Sequence, residues 1–112
     1  MRLDCIFCKI VSGEIPSKKI YEDDDVIVFN DIHPIAKVHF LIVPKAHIES
    51  LESCETQDQA LLGKMLLLAP VLAKAQGLVG FRTMINTGRE GGQEVFHLHL
   101  HVFGGGDKLP KI

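Results

Sequence analysis

Residues 97–103 of the chain read His97-Leu98-His99-Leu100-His101-Val102-Phe103. Strict alternation is the period of a β-strand, in which successive side chains point to opposite faces. The run therefore predicts a strand with three imidazoles on one face and Leu98, Leu100 and Val102 on the other. One face is made for packing and the other for chemistry. An apolar strand face needs a covering layer, and a chain of 112 residues has room for one core and one domain, 1–112.

Composition narrows the class of partner. Hydrophobic residues make up 46% and charged residues 23% of the chain, a globular balance. A formal charge of -2 and a pI near 6.3 lack the basic footprint of a nucleic-acid binder, so no nucleic acid is expected as partner. The opening Met1-Arg2-Leu3-Asp4-Cys5 carries an acid where a signal peptide needs an apolar run. Nothing reaches the roughly 18 apolar residues of a membrane span. A cytoplasmic chain without a membrane partner is expected. In that reducing compartment Cys5, Cys8 and Cys54 are packing, metal or redox groups rather than a disulfide framework.

The order of elements reads as alternating α and β. Asp4 is placed to cap a short helix through about Val11, ended by Ser12-Gly13, after which Pro16 keeps the chain extended. A strand at Lys19 to Glu22 turns at Asp23-Asp24 into a second at Val26 to Asn30, close enough for an antiparallel pair. A third, His39 to Val43, is stopped by Pro44. The long helix is expected from Thr56, with a Thr56/Gln59 capping box, to Gly77, and Pro70 should kink it or end it early. A fourth strand, Arg82 to Asn86, leads through the glycine-rich Thr87 to Gln93 into the histidine strand. Five strands and two helices make an α+β fold, with one short and one long helix on a five-stranded antiparallel sheet.

Residues two apart on a strand stand roughly 6.6 Å apart, so His97 and His101 are separated by about 13 Å at the backbone. Three imidazoles on one straight strand do not easily reach a single zinc ion at about 2.0 Å. Two neighbours joined by a ligand from elsewhere, as in a hydrolytic zinc centre, remain an alternative, as do histidines that merely fill a strand surface. A metal-free use suits the layout better. One neutral imidazole attacks phosphorus while its other nitrogen is held by an acceptor, and a cationic neighbour supports the phosphoryl oxygens. The glycine-rich segment would let backbone N–H groups approach an anion closely.

At this point the residues resemble a known family. The His-φ-His-φ-His-φ-φ pattern of the histidine triad superfamily, with φ apolar, fits His97 to Phe103 at every position. The chain is similar to its Hint branch of purine nucleoside phosphoramidases along most of its length. Matching segments include Cys5 to Ile10, Glu14-Ile15-Pro16, Phe29 to Ile32, His39 to Lys45, Asn86-Thr87-Gly88 and Gly91-Gly92-Gln93. Gly104-Gly105 after the triad looks like Hint rather than the Fhit branch of dinucleoside polyphosphate hydrolases.

The resemblance implies a two-step nucleotidyl transfer that needs no cofactor. His99 would attack the α-phosphorus of a nucleoside 5'-phosphoramidate, and His101 would support the developing charge, with His97 completing the triad. Asp31 would bind the ribose. Ile6, Phe7, Ile15, Phe29 and Ile32 would line the pocket for an AMP-type purine nucleotide, and Asn86, Gly92 and Gln93 would surround phosphate and ribose. His39 matches a histidine near that pocket. The alternatives are dinucleoside polyphosphate hydrolysis and a nucleotide-binding protein with incidental hydrolysis. The resemblance also implies a homodimer with one continuous sheet. Two departures stand out: Glu94 occupies a position near the leaving group where some relatives have serine, and Pro70 interrupts a helix that relatives continue smoothly.

Cys5 and Cys8, three apart in a short helix, share one face, and such a pair needs two further ligands for tetrahedral zinc. Relatives with this pair complete the site with residues that correspond to His47 and His97, which implies structural zinc on Cys5, Cys8, His47 and His97. Buried thiols without metal are the alternative. A redox CxxC reading is poorer, because the pair does not follow a strand as in a thioredoxin-like layout.

Overall fold

Val26-Ile27-Val28-Phe29 is apolar at every position, the signature of a strand covered on both faces. The computed structural model, which describes residues 4–112, bears this out. Its elements are α1 (Ile6–Val11), β1 (Lys19–Glu22), β2 (Val26–Asn30), β3 (Val38–Pro44), two 3₁₀ turns (Leu51–Ser53 and Thr56–Asp58), α2 (Gln59–Ala75), β4 (Arg82–Met84) and β5 (Leu100–Gly104). They form one five-stranded sheet in the order β1-β2-β3-β5-β4, with every neighbouring pair antiparallel. The opening segment weighed above as a leader lies largely outside the described residues, as do positions 1–3 of the expected single domain.

Strand alternation sorts the core into two layers. Val26, Val28, Phe40, Ile42, Leu98, Leu100 and Val102 pack with Met65, Ala69, Leu72 and Ala73 of α2. On the opposite face Ile27, Phe29, Leu41 and Val43 pack with Cys5, Phe7 and Cys8 of the α1 region. The expected face-sharing of the histidine run therefore holds: its leucines and valine face α2, and its imidazoles face α1.

Several boundaries differ from expectation. His97 and His99 precede β5 rather than lying in it, because the β3–β5 ladder ends at the Ile42–Leu100 pair. The next pairing would need Pro44, which has no N–H. The extended chain is held instead by the Leu98 N–H on the Ile48 carbonyl, 2.7 Å. With β5 shortened, β4 ends at Met84, opposite His101, and not at Asn86. Proline also closes β3 from within, as its last residue. Cys5, not Asp4, caps α1, its sulfur accepting from the Cys8 N–H. The capping box forms between Glu55 and Asp58, one residue earlier than the Thr56/Gln59 pair, so a 3₁₀ turn precedes α2. Pro70 neither ends nor breaks α2, since it is exposed and water can serve the carbonyl its missing N–H leaves free. Ala75 ends the helix, and Gly77 at φ +84° follows with a Schellman pair, Leu78 N–H to Ala73 O at 3.0 Å and Gly77 N–H to Lys74 O at 2.9 Å.

Candidate active site and metal centre

The three imidazoles of the run enter three different surroundings. His99 is buried, and its Nδ1 stands 2.7 Å from the His97 carbonyl oxygen. A carbonyl can only accept, so Nδ1 carries the proton and Nε2 holds the lone pair. Burial pushes the His99 pKa below its ordinary value, opposed by that carbonyl bond.

His101 has the opposite tautomer. The Ile35 N–H donates to His39 Nδ1 at 3.1 Å, so a neutral His39 carries its proton on Nε2. That nitrogen lies 2.9 Å from His101 Nδ1, which must accept and which leaves the His101 proton on Nε2. His101 Nε2 is buried without a partner among the described residues. Burial, with His99 and His39 as like-charged neighbours, lowers the His101 pKa to about 4; burial also lowers that of His39, against the pull of Asp31. The expected cationic neighbour is thus corrected: burial makes His101 a neutral donor at pH 7. Asp31 receives the His33 N–H at 2.8 Å and places Oδ2 at 3.5 Å from His39 Nε2. Asp31, His39 and His101 also form a cluster of ligand-type atoms. At 2.9 Å its two ring nitrogens are closer than the roughly 3.3 Å between nitrogen ligands of one tetrahedral zinc, so a shared proton describes them better.

His99 and His101 line a cavity of about 240 Å³. Of the residues expected there, Ile6, Phe7, Phe29, Asp31, Ile32, Asn86, Gly92 and Glu94 are present. Ile15, Gln93 and His39 are not among its walls, and His39 instead supports His101 from behind. Gln93 is buried, its Oε1 accepting from the Gly88 N–H (2.9 Å) and its Nε2 donating to the carbonyls of Glu49 (2.9 Å) and Val95 (3.0 Å). It holds the glycine-rich loop together. The amides of two other loop glycines and of Gln93 are occupied as well: Gly91 and Gln93 donate to Gly88 O, and Gly92 to Arg89 O. The N–H groups of Gly88, Gly91 and Gly92 therefore serve the turn rather than stand open to an anion. The tight turn explains the glycines, since a Cβ on Gly91 would overlap the Thr87 carbonyl. Sequence reasoning missed Ile10, Asn30, His33, Leu41 and Val95 as walls. Leu41 was within reach, because it shares a strand face with His39 and pairs with His101.

His97 is fully buried and is not a wall of that cavity. Its Nε2 donates to the Pro44 carbonyl at 2.8 Å, which turns the Nδ1 lone pair toward Cys5 Sγ at 3.3 Å and Cys8 Sγ at 3.6 Å. His47 Nδ1 lies 3.2 Å from Cys8 Sγ. All four ligand atoms fall within 4.8 Å of one another. Sulfur and nitrogen ligands of a tetrahedral zinc stand roughly 3.3–3.8 Å apart; the contacts of 3.2, 3.3 and 3.6 Å match that spacing, so with small shifts of the other pairs the set fits a closed zinc site with no open position. The Pro44 carbonyl behind His97 is the outer partner such a ligand needs. Burial raises the Cys5 thiol pKa, so two thiolates here call for a compensating cation. Cys54 lies apart, its Sγ against the Ser50 carbonyl.

The sequence model of the family described as "Scavenger mRNA decapping enzyme C-term binding" matches residues 4–110. Protein HitA of Neisseria gonorrhoeae is 54% identical over 102 residues, covering 90% of this chain and 95% of that protein. The crystal structure of a HIT family hydrolase from Legionella pneumophila superposes with a TM-score of 0.90 at 44% identity, over 93% of this chain and 95% of that one. A zinc-bound histidine triad protein from Mycobacterium smegmatis gives 0.83 at 35% identity, over 96% and 81%. These likenesses meet a triad that carries two tautomers over one cavity: the chain belongs to the histidine triad (HIT) superfamily.

Proposed function

We propose that the chain hydrolyses purine nucleoside 5'-phosphoramidates through a nucleotidyl-histidine formed on His99. The observation that carries this reading is the pair of tautomers: a lone pair on His99 Nε2 beside an unpartnered donor on His101 Nε2. In the first step His99 Nε2 bonds to the α-phosphorus, the P–N bond breaks with its electron pair on nitrogen, and the amine leaves with a proton taken from solvent. In the second step water attacks phosphorus and gives a proton back to solvent, the P–Nε2 bond breaks, and a nucleoside monophosphate departs. The His101 N–H faces the non-bridging oxygens as charge builds on them, a contact worth about 2.7–4 kcal/mol in comparable oxyanion sites. Ile6, Phe7, Phe29 and Ile32 supply the apolar walls for a purine, and Asp31 accepts from ribose hydroxyls.

A zinc ion on Cys5, Cys8, His47 and His97 would have a structural role, since four protein ligands leave no site for substrate. No helix among the described residues is long and apolar enough to cross a membrane, and three free thiols suit work in the reducing cytoplasm. We read the working unit as a homodimer. Leu66, Leu67 and Val71 of α2 are exposed, and β4 is a sheet edge open to pairing.

The test compares wild type and His99→Ala on adenosine 5'-phosphoramidate and on a diadenosine polyphosphate. Wild type should release AMP from the first, and the variant should lose on the order of 10³-fold or more in kcat. Full activity in the variant refutes His99 as nucleophile. Faster turnover of the polyphosphate replaces this reading with the dinucleotide one, and no turnover of either leaves a binding protein.

A further inference from the structure

The thiol–imidazole cluster and the proposed nucleophile meet at two residues. His97 places its ring among Cys5 and Cys8 and lends its backbone carbonyl to His99 Nδ1 at 2.7 Å. Ring and carbonyl belong to one residue, so any shift of the ring that turns the His97 backbone also tilts the acceptor that selects the tautomer of His99. Phe7 sits in α1 between the two cysteines. Its ring meets His97 edge-on at a centroid distance of 5.8 Å and His99 at 5.0 Å. The far end of His97 is fastened, its Nε2 on Pro44 O and the next residue's N–H on Ile48 O. Helix α1 has six residues, too few to be stable by themselves, so the place of Phe7 depends on its packing against Phe29, at 5.6 Å between ring centroids, together with what anchors the cysteines on either side of it.

We propose that His97 and Phe7 are positioning residues, through which a metal ion on Cys5, Cys8, His47 and His97 holds His99 in its Nδ1–H tautomer and aims its Nε2 at the cavity. With the cluster filled, the His97 carbonyl and the Phe7 ring clamp the imidazole from two sides. With it empty, both supports loosen and His99 samples the second tautomer, in which Nε2 carries a proton and cannot attack.

The experiment uses protein carrying ring-15N histidine, zinc-loaded, chelator-stripped and reloaded, with His99 signals assigned by comparison with His99→Ala. The loaded protein should show pyridine-like Nε2 and pyrrole-like Nδ1 signals for His99. Stripping should draw the two together, leave His101 largely unmoved, and be reversed by reloading. The spectroscopic arm is independent of the proposed reaction. The kinetic arm rests on it: kcat for adenosine 5'-phosphoramidate should fall on the order of 10–100-fold, with KM changed much less. Unchanged His99 signals and kcat in a stripped, folded protein overturn the proposal. Should stripping unfold the chain, exchange of zinc for the larger cadmium decides: displaced His99 signals support the coupling, and unmoved ones overturn it. Phe7→Leu with full zinc content should broaden the His99 signals, whereas sharp, unshifted signals remove Phe7 from the clamp.

Discussion

Gln93→Ala should unfold more easily by about 2–4 kcal/mol, a size that follows from what its amide holds. The side chain is 4% exposed. It joins three backbone groups: the Gly88 N–H and the carbonyls of Glu49 and Val95. A hydrogen bond contributes about 0.5–1.5 kcal/mol net, and a buried group left alone costs about 1–3 kcal/mol. Glu49 is exposed, so water can serve its carbonyl; the other two groups set the loss. In a domain of this size the change amounts to a drop in Tm of about 10–20 °C. Urea denaturation of wild type, Gln93→Ala and Gln93→Glu measures it. The glutamate is the sharper case, because a carboxylate accepts from Gly88 but opposes two carbonyl oxygens, so it should destabilise at least as much as alanine. If both variants unfold like wild type and only KM rises, Gln93 is a ligand contact and the clamp is wrong.

Stability should also fall in mild acid. The folded His101 pKa is depressed to about 4, below the ordinary 6.5, so the unfolded chain binds the extra proton between those values. The contribution of the neutral ring is present above about pH 6.5 and is lost as pH falls toward 4. The wild-type loss in urea midpoint between pH 7.5 and 4.5 should exceed that of His101→Asn, and equal losses refute the assignment. Glu94 is exposed and a wall of the cavity beside His99, so under the proposed function Glu94→Ser should raise kcat/KM for phosphoramidates of acidic amines relative to cationic ones. An unchanged ratio means the carboxylate faces solvent. For the assembly, light scattering should give twice the 12.4 kDa chain mass, and Leu67→Lys with Val71→Lys should shift it toward the monomer; a monomeric wild type refutes the dimer.

The face on which each residue lies was legible because strand periodicity is strict. His97, His99 and His101 lie together and Leu98, Leu100 and Val102 lie opposite; that Cys5 and Cys8 meet His47 and His97 was implied by the family resemblance and not by spacing. Boundaries were less legible where a distant partner decides them. Pro44 shortens β5 from across the ladder, and nothing within 97–103 announces that. The place of Gln93 was illegible for a similar reason. The resemblance set it beside phosphate and ribose, and only the return of the chain past Glu49 and Val95 shows where its amide forms hydrogen bonds. The tautomers were out of reach too, since they depend on Ile35 and on carbonyls brought up by the fold.

The spacing that keeps three histidines from sharing one ion also separates their tasks. Each step of two residues along the extended chain is about 6.6 Å, enough to carry a side chain from one neighbourhood to the next. His97 falls opposite the cysteines of α1, His99 reaches the cavity edge, and His101 comes under His39 of β3. Burial lowers the pKa of all three, so near neutral pH what distinguishes them is not charge. It is which ring nitrogen holds the proton, and each choice is imposed by a neighbour: the Pro44 carbonyl for His97, the His97 carbonyl for His99, and His39 for His101. A neutral attacking nitrogen beside a neutral donor leaves no cation to be displaced when the phosphorus centre arrives. In the proposed reaction positive charge appears on the His99 ring only as the P–Nε2 bond forms, beside phosphoryl oxygens of the opposite sign, and the pocket before that is spared a buried, unpaired cation, which would be costly.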